Sequence, residues 1–245
     1  MEEPLPDWLK VYQQNSTKKS SEEVYFPSES ESDLATVSEL DEFINTEKSE
    51  EDQLREQIRK DFPSKLRLRD FIREIIPVAE ENNVKMALHP DDPPIPLFGV
   101  PRIVSTYEDY KYILNSYNSE SNGITFCSGS LASNVDNDIY KIFNKFKDKV
   151  NFIHLRNVKI EKDKKSFYES NHLDGDVDFV KLIKMILKEE KRRSKNKKID
   201  IPMRPDHGHA LLDDQKKKTI NPGYTAIGRL MGLSELRGII KALQN

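Results

Sequence analysis

Cysteine is almost absent from this sequence. Cys127 is the only cysteine among 245 residues, so no disulfide can form within the chain. No apolar run approaches the ~20 residues that span a bilayer. The acidic opening Met1–Pro4 also lacks the apolar stretch of a secretory signal. Together these absences predict a protein of the reducing cytoplasm that has no membrane anchor.

Neither sign of charge is in clear excess. The 39 Lys and Arg residues against 42 Asp and Glu residues give a net charge of -3. This balance produces no overall field that would attract nucleic acid or an acidic membrane, so we expect neither as a partner. The basic run Lys188–Lys198 contains Glu189 and Glu190 and ends a helical pattern. A solvated helix end is therefore its better interpretation.

The composition changes near Leu66. Before it, Ser, Glu, Asp and Lys dominate, and such a segment buries too little apolar surface to offset its ordering entropy. We therefore predict a polar, partly irregular and weakly ordered segment over residues 1–60 and a regularly folded region over residues 61–245, which the family resemblance given below identifies as a partial βα-barrel. Short helical pieces are expected around Trp8, around Leu40 and over Leu54–Arg59.

Beyond Leu66, short apolar runs alternate with helical patterns. The predicted strands are Val84–Leu88, Ile124–Cys127, Val150–Leu155 and Ile199–Met203. The predicted helices are Leu68–Val78, Tyr107–Asn118 with a capping box of Ser105 and Glu108, Asp138–Phe146, Val177–Glu190 and Leu233–Leu243. Apolar strands that alternate with helices predict an α/β fold with a parallel sheet, either open or part of a barrel. A complete (β/α)8 barrel needs eight strands, and four are found. No Gly-x-Gly-x-x-Gly turn follows a strand, which argues against a dinucleotide-binding fold.

Each predicted strand leads into a side chain that can bind metal. These side chains are His89, Cys127, His154 and Asp206. Because the carboxyl ends of parallel strands meet at one edge of the sheet, we expect the four to converge. Each alone has an ordinary explanation, such as a hydrogen-bonded histidine or a small buried cysteine. Together they predict a metal site, and the residue types suit zinc, iron or manganese.

Further polar residues lie near these strand ends. His207 follows Asp206 directly, and either an acid–base role or a hydrogen bond to a neighbouring ligand fits it. Tyr224 ends the turn Asn221–Tyr224, where its hydroxyl is presented or its ring simply packs. We interpret His172, in a polar loop, as a structural residue.

Three arginines lie at or soon after strand ends, namely Arg102, Arg156 and Arg204. A guanidinium fork suits a carboxylate substrate, although each arginine also suits a structural ion pair. We assign these arginines, with His209, to candidate substrate binding.

Several of these segments, taken together, resemble one family. They are His89–Pro94, Phe98–Arg102, Phe126–Ser130, His154–Arg156, Met203–His209 and Asn221–Tyr224. Their order and spacing are similar to those of the mannonate dehydratases, from about Leu66 to the C-terminus. The resemblance implies a barrel of the xylose-isomerase-like type and a lyase that removes water from D-mannonate to give 2-keto-3-deoxy-D-gluconate in hexuronate (glucuronate) catabolism. It also implies Mn²⁺ or Fe²⁺ at His89, Cys127, His154 and Asp206, with His207 and Tyr224 as the acid–base pair.

The chain departs from that family in length. Family members carry about four more βα units before the region that matches. The resemblance therefore implies the C-terminal half of a TIM-type (β/α)8 barrel, with exposed sheet edges. We expect a homo-oligomer or a partner chain to complete it. The alternatives are a truncated, non-catalytic metal-binding fragment, or another sugar isomerase-like barrel enzyme.

Overall fold

The computed structural model describes residues 64–96, 101–221 and 223–244, which lie in one structural unit of the chain. The expectations for residues 1–60, including the helical pieces near Trp8, Leu40 and Leu54–Arg59, fall outside the described residues. Within the described ranges, every helix is too short or too polar to cross a lipid bilayer.

Six helices lie in the described region; five match predicted helices apart from their ends, and the short helix Ser128–Ala132 was not predicted. The six are α1 (Ser64–Glu81), α2 (Tyr107–Ser116), α3 (Ser128–Ala132), α4 (Ile139–Phe146), α5 (Phe179–Lys195) and α6 (Ala226–Gln244). Short 3-10 turns cover Lys147–Lys149 and Leu212–Lys216. Helix α6 begins at Ala226, well before the expected Leu233. The prediction missed its first two turns because the buried positions there are Gly228 and Gly232. Glycines on the buried face add nothing to the apolar periodicity from which the helix was predicted.

The capping box of α2 differs from the predicted pair, Ser105 and Glu108. Thr106 is the N-cap, and its hydroxyl accepts a hydrogen bond from the Asp109 backbone at 3.3 Å, while the Asp109 carboxylate accepts one from the Thr106 backbone at 3.0 Å. The prediction was therefore wrong by one residue. Both pairs have the required spacing, but Glu108 is exposed, whereas Asp109 is buried and forms an ion pair with Lys65. Tertiary contacts select between them.

The strands are β1 (Ile124–Cys127), β2 (Val150–His154), β3 (Val158–Ile160), β4 (Phe167–Glu169) and β5 (Met203–Arg204). Three of them form a parallel sheet in the order β1-β2-β5. The described residues thus form parallel βα units around an open sheet.

Two predicted strands are shorter than expected. Val84–Leu88 is reduced to one bridge between Leu88 and Ile124, and Ile199–Met203 is replaced by the two residues of β5. Both segments lie at the margins of the sheet, where a chain has a neighbour on one side only and ladder pairing ends easily.

The core lies between this sheet and its helices. Phe126 of β1 meets Phe143 of α4 edge to face at 5.2 Å between ring centroids. Ile153 of β2 and Leu182 and Ile183 of α5 are fully buried. This apolar layer fixes the strands, and therefore the positions at which their carboxyl ends deliver polar side chains.

A β-hairpin of β3 and β4, absent from the predicted elements, is inserted between β2 and α5. The two strands pair antiparallel, with Val158 opposite Glu169. Asn157 closes the insertion: its amide nitrogen donates to the carbonyls of His172 and Val177 at 2.7 and 3.0 Å, and its amide oxygen accepts from the Val177 backbone at 2.9 Å. The hairpin thereby carries Glu169 to the carboxyl edge of the sheet.

Candidate metal centre

Four side chains converge at the carboxyl ends of the strands. They are His89, Cys127, His154 and Asp206, and their ligand atoms all lie within 4.8 Å of one another. His89 Nε2 lies 3.1 Å from His154 Nδ1, which in turn lies 3.3 Å from Asp206 Oδ2. Cys127 is fully buried and Asp206 is 5% exposed, whereas His89 is exposed.

This group has the size and the chemistry of a metal site. Metal–ligand bonds of about 2.0–2.3 Å place two ligands of one ion at most about 4.6 Å apart. The observed spread of 4.8 Å fits that limit with a shift of a few tenths of an ångström. One thiolate and one carboxylate would offset a divalent charge, and two imidazoles complete a set that suits a transition metal.

The parallel register explains the convergence. Cys127 ends β1 opposite His154, which ends β2, so the two side chains lie side by side. His89 follows the bridge between Leu88 and Ile124, and its Nδ1 hydrogen-bonds the Pro90 carbonyl at 2.6 Å. That contact leaves Nε2 to face the other ligands.

A second pair of candidate residues, His207 and Tyr224, which we predict as the acid–base pair, adjoins the four candidate ligands. His207 Nε2 lies 3.1 Å from the Tyr224 hydroxyl and 3.5 Å from Asp206 Oδ2. The His207 side chain is 14% exposed, while Tyr224 is half exposed. His207 Nε2, which can exchange a proton, therefore faces both the Asp206 carboxylate and the accessible hydroxyl of Tyr224.

Backbone contacts hold this pair together. Gly208 forms a parallel bridge with Tyr224, and its N–H donates to the Gly223 carbonyl at 2.8 Å. The Thr225 hydroxyl donates to the carbonyl of Gly208 at 3.1 Å. The two loops that carry His207 and Tyr224 are thus fastened to each other.

Arg156 connects the metal-type ligands to the acid–base pair. Its guanidinium donates to Asp92 at 2.5 Å, to Glu169 at 3.0 Å and to the Ser130 hydroxyl at 3.2 Å. Ser130 in turn donates to Cys127 Sγ at 3.1 Å. Burial alone would lower the pKa of Arg156, but the Asp92 and Glu169 carboxylates raise it above its usual value. Arg156 therefore stays positively charged although it is buried.

Comparison with known proteins places the chain in a family. The model of the D-mannonate dehydratase (UxuA) family matches residues 4–245. The chain belongs to the mannonate dehydratase family. The match extends through the N-terminal polar segment, although the sequence motifs resemble the family only from about Leu66.

Individual mannonate dehydratases agree with this placement. The chain is 51% identical over 177 residues to the mannonate dehydratase of Saccharophagus degradans, covering 71% of this chain and 44% of that protein. It is 51% identical over 175 residues to mannonate dehydratase 2 of Agrobacterium fabrum, covering 71% and 44% respectively. The crystal structure of mannonate dehydratase from Streptococcus suis serotype 2 aligns with a TM-score of 0.67 and 33% identity, covering 83% of this chain and 57% of that chain. The chain spans about half the length of the curated relatives it matches.

The four residues predicted to bind substrate are Arg102, Arg156, Arg204 and His209, and they differ in exposure and in their hydrogen-bond partners. Arg204 donates to Asp206 at 2.8 Å, and its side chain is half exposed. Arg102 donates to the Ile95 carbonyl at 3.1 Å. Arg156 directs its fork to protein carboxylates, as described above. Among the described residues, His209 Nε2 is buried without a hydrogen-bond partner.

His172, interpreted from the sequence as structural, is buried. Its ring stacks on Phe179 at 6.1 Å between centroids and lies against Gly232 of α6. Burial lowers the pKa of His172, so the ring favours its neutral form.

Sequence reasoning missed two residues that contact the candidate site residues. Glu169 hydrogen-bonds His207 Nδ1 at 2.7 Å, and Ser130 contacts the Cys127 thiol. Glu169 follows no predicted strand, so the strand-end signal could not find it. Ser130 could have been predicted, because its hydroxyl follows Cys127 by three residues in the Phe126–Ser130 motif and groups that hydrogen-bond a metal ligand often lie that close.

Proposed function

We propose that this chain carries the metal and acid–base half of a mannonate dehydratase. The observation that carries the proposal is the contact between His207 Nε2 and both Tyr224 and Asp206, beside a four-residue ligand group. The reaction is the removal of water from D-mannonate to give 2-keto-3-deoxy-D-gluconate, in hexuronate catabolism. The family membership supports this substrate.

The four ligand residues would hold Mn²⁺ or Fe²⁺. Such an ion would supply Lewis-acid stabilisation of negative charge on the substrate carboxylate and 2-hydroxyl. Asp206, one of the residues that would hold the ion, also lies 3.5 Å from His207 Nε2. The mixture of nitrogen, oxygen and sulfur ligands supports a transition metal. Because Cys127 acts as a ligand only when it is unoxidised, we also propose a reducing compartment, the cytoplasm.

The acid–base pair would move the protons of the elimination. One of His207 and Tyr224 takes the C2 proton, and the C–H electron pair becomes the C2–C3 double bond. The C3–O bond breaks, and the other residue protonates the departing hydroxyl to water. The resulting enol transfers its hydroxyl proton to C3 and becomes the 2-keto acid. Arg204 is the arginine best placed to meet the substrate carboxylate, because it is half exposed beside Asp206. Arg102 and His209 are further candidates for substrate contacts.

The test is an assay of 2-keto acid formation from D-mannonate with Mn²⁺. Tyr224→Phe removes the hydroxyl with little effect on packing, and we expect turnover to fall about 100-fold or more. Tyr168→Phe is the matched control, because Tyr168 is also half exposed but lies on β4, outside the ligand group. If the folded, metal-loaded chain makes no product, catalysis by this chain is refuted and metal binding alone remains.

We further propose that a partner chain or a second copy covers the open face of the sheet. A groove of about 740 Å³ runs along it, lined by Ala87, Thr125, Phe152 and Pro202 and bordered by His154. Light scattering coupled to size exclusion tests this proposal, since a monodisperse monomer with activity would contradict it.

A further inference from the structure

Glu169 lies between the acid–base pair and a buried cation. Its Oε2 is 2.7 Å from His207 Nδ1 and 3.0 Å from Arg156 Nε, and its Oε1 is 3.1 Å from the same Arg156 nitrogen. The Glu169 side chain is 23% exposed, against 6% for Arg156. One carboxylate therefore joins the two charged or titratable groups that flank it.

The direction of these hydrogen bonds decides which ring nitrogen of His207 carries the hydrogen. An ionised carboxylate can only accept, so a neutral His207 must donate to Glu169 from Nδ1. Nε2 then has a free lone pair and accepts from the Tyr224 hydroxyl, 3.1 Å away. Without the Glu169 carboxylate, the Asp206 carboxylate, 3.5 Å from Nε2, would favour the tautomer protonated at Nε2 instead.

We propose that Glu169 is a positioning residue that holds His207 in the tautomer protonated at Nδ1, so that Nε2 exchanges a proton with Tyr224. The consequence for turnover rests on the proposed function. The tautomer itself does not, because it follows from geometry: Glu169 lies 2.7 Å from Nδ1, whereas the Asp206 carboxylate lies 3.5 Å from Nε2.

Two independent supports hold Glu169 in this position. The first is the antiparallel register of the hairpin, which places Glu169 opposite Val158, two residues after Arg156 in the chain. Arg156 is in turn anchored by Asp92, from the loop that follows His89, and by Ser130, which contacts Cys127. The orientation of His207 is therefore tied to the same loops that present the ligand group.

A nitrogen NMR measurement tests the tautomer directly. The full chain is labelled with ¹⁵N at histidine and prepared with Zn²⁺, which is diamagnetic, and His207 is assigned by its loss in His207→Gln. We expect a protonated Nδ1 and an unprotonated Nε2. In Glu169→Gln, Arg156 would attract the amide oxygen and leave the amide NH₂ facing Nδ1, so we expect the hydrogen to move to Nε2. A wild-type His207 protonated at Nε2, or an unchanged tautomer in Glu169→Gln, would overturn the proposal.

Kinetics provide a second readout. We expect Glu169→Gln to lower kcat about 100-fold while KM stays within about 2-fold, because the ligand group and Arg204 are untouched. Glu169→Asp keeps the charge and should recover part of the loss. The matched control is Glu161→Gln, at an exposed position on the loop of the same hairpin, which should leave kcat unchanged.

The outcomes separate the two proposals. A Glu169→Gln chain that folds, binds metal and keeps its wild-type kcat contradicts the role of Glu169. If the wild-type chain makes no product, the proposed function fails, and the NMR tautomer still decides the present inference. If Glu169→Gln does not fold, the wild-type tautomer and the Glu169→Asp spectrum decide it.

Discussion

Replacement of Gly232 by alanine tests how α6 packs against the insertion that follows β2. A Cβ at Gly232 would lie 2.2 Å from His172 Cε1 and 2.4 Å from Nδ1, far closer than real Cβ contacts. The His172 ring is 3% exposed and stacks on Phe179, so it cannot turn aside without displacing its neighbours. Either α6 or the loop of His172 must therefore move.

The magnitude follows from a comparison with a second glycine of the same helix. Gly238 also lies within α6, and a Cβ there would meet no atom within 4 Å. Alanine is better than glycine in a helix interior by about 1 kcal/mol, a gain common to both positions. Overpacking a filled site costs about 1–3 kcal/mol. We therefore expect Gly238→Ala to be about 1 kcal/mol more stable than wild type, and Gly232→Ala to be about 1–3 kcal/mol less stable than Gly238→Ala.

Urea unfolding followed by circular dichroism measures both variants. A shift of the midpoint at constant slope reports a change in the free energy of unfolding. Thermal unfolding provides a check, since each kcal/mol corresponds to about 2–4 °C for a chain of this size. If Gly232→Ala is as stable as Gly238→Ala, the close approach of α6 to His172 is wrong.

Two other substitutions test the site and the core. Cys127→Ala removes one of the four ligand side chains, so we expect less metal per chain by mass spectrometry; full occupancy would make Cys127 only a core residue. Glu189→Gln removes the charge from a carboxylate that is 1% exposed and paired with Arg193, itself 8% exposed. Because this leaves the buried Arg193 cation without an ionised partner, and only the neutral Lys147 and Val150 carbonyls and the new amide to accept its hydrogen bonds, we expect a loss of about 3 kcal/mol in the free energy of unfolding. The same change at exposed Glu108 should alter it by less than about 0.5 kcal/mol, and equal effects at the two positions would contradict the burial argument.

Local pattern in the sequence predicted the strands of the parallel sheet, five of the six helices among the described residues and the candidate ligand types. A short apolar run that ends in His, Cys or Asp is a local signal, as at Cys127 and His154. Parallel strands place their carboxyl ends on one edge, so the convergence of these residues follows from topology alone. Alternation of strand and helix likewise predicted the βα units, although not the extent of the marginal strands.

Tertiary structure decided the pairings between residues distant in the chain. Both Ser105–Glu108 and Thr106–Asp109 have capping-box spacing, and only the burial of Asp109 selects the second. From the sequence, Arg156 suits a substrate carboxylate as well as it suits a structural ion pair. The fold decides for the ion pair, because it brings Asp92 and Glu169 to the guanidinium.

The contact between Glu169 and His207 shows the same limit. These residues are 38 positions apart in the chain. They meet because the hairpin places Glu169 at the same edge of the sheet at which the segment after β5 places His207. A hydrogen bond depends on distances of a few tenths of an ångström, which spacing along the chain does not determine. The sequence by itself therefore determined which strand-end side chains reach the edge of the sheet, but not that a hairpin brings Glu169 to it. Only the packed structure decided which of them touch.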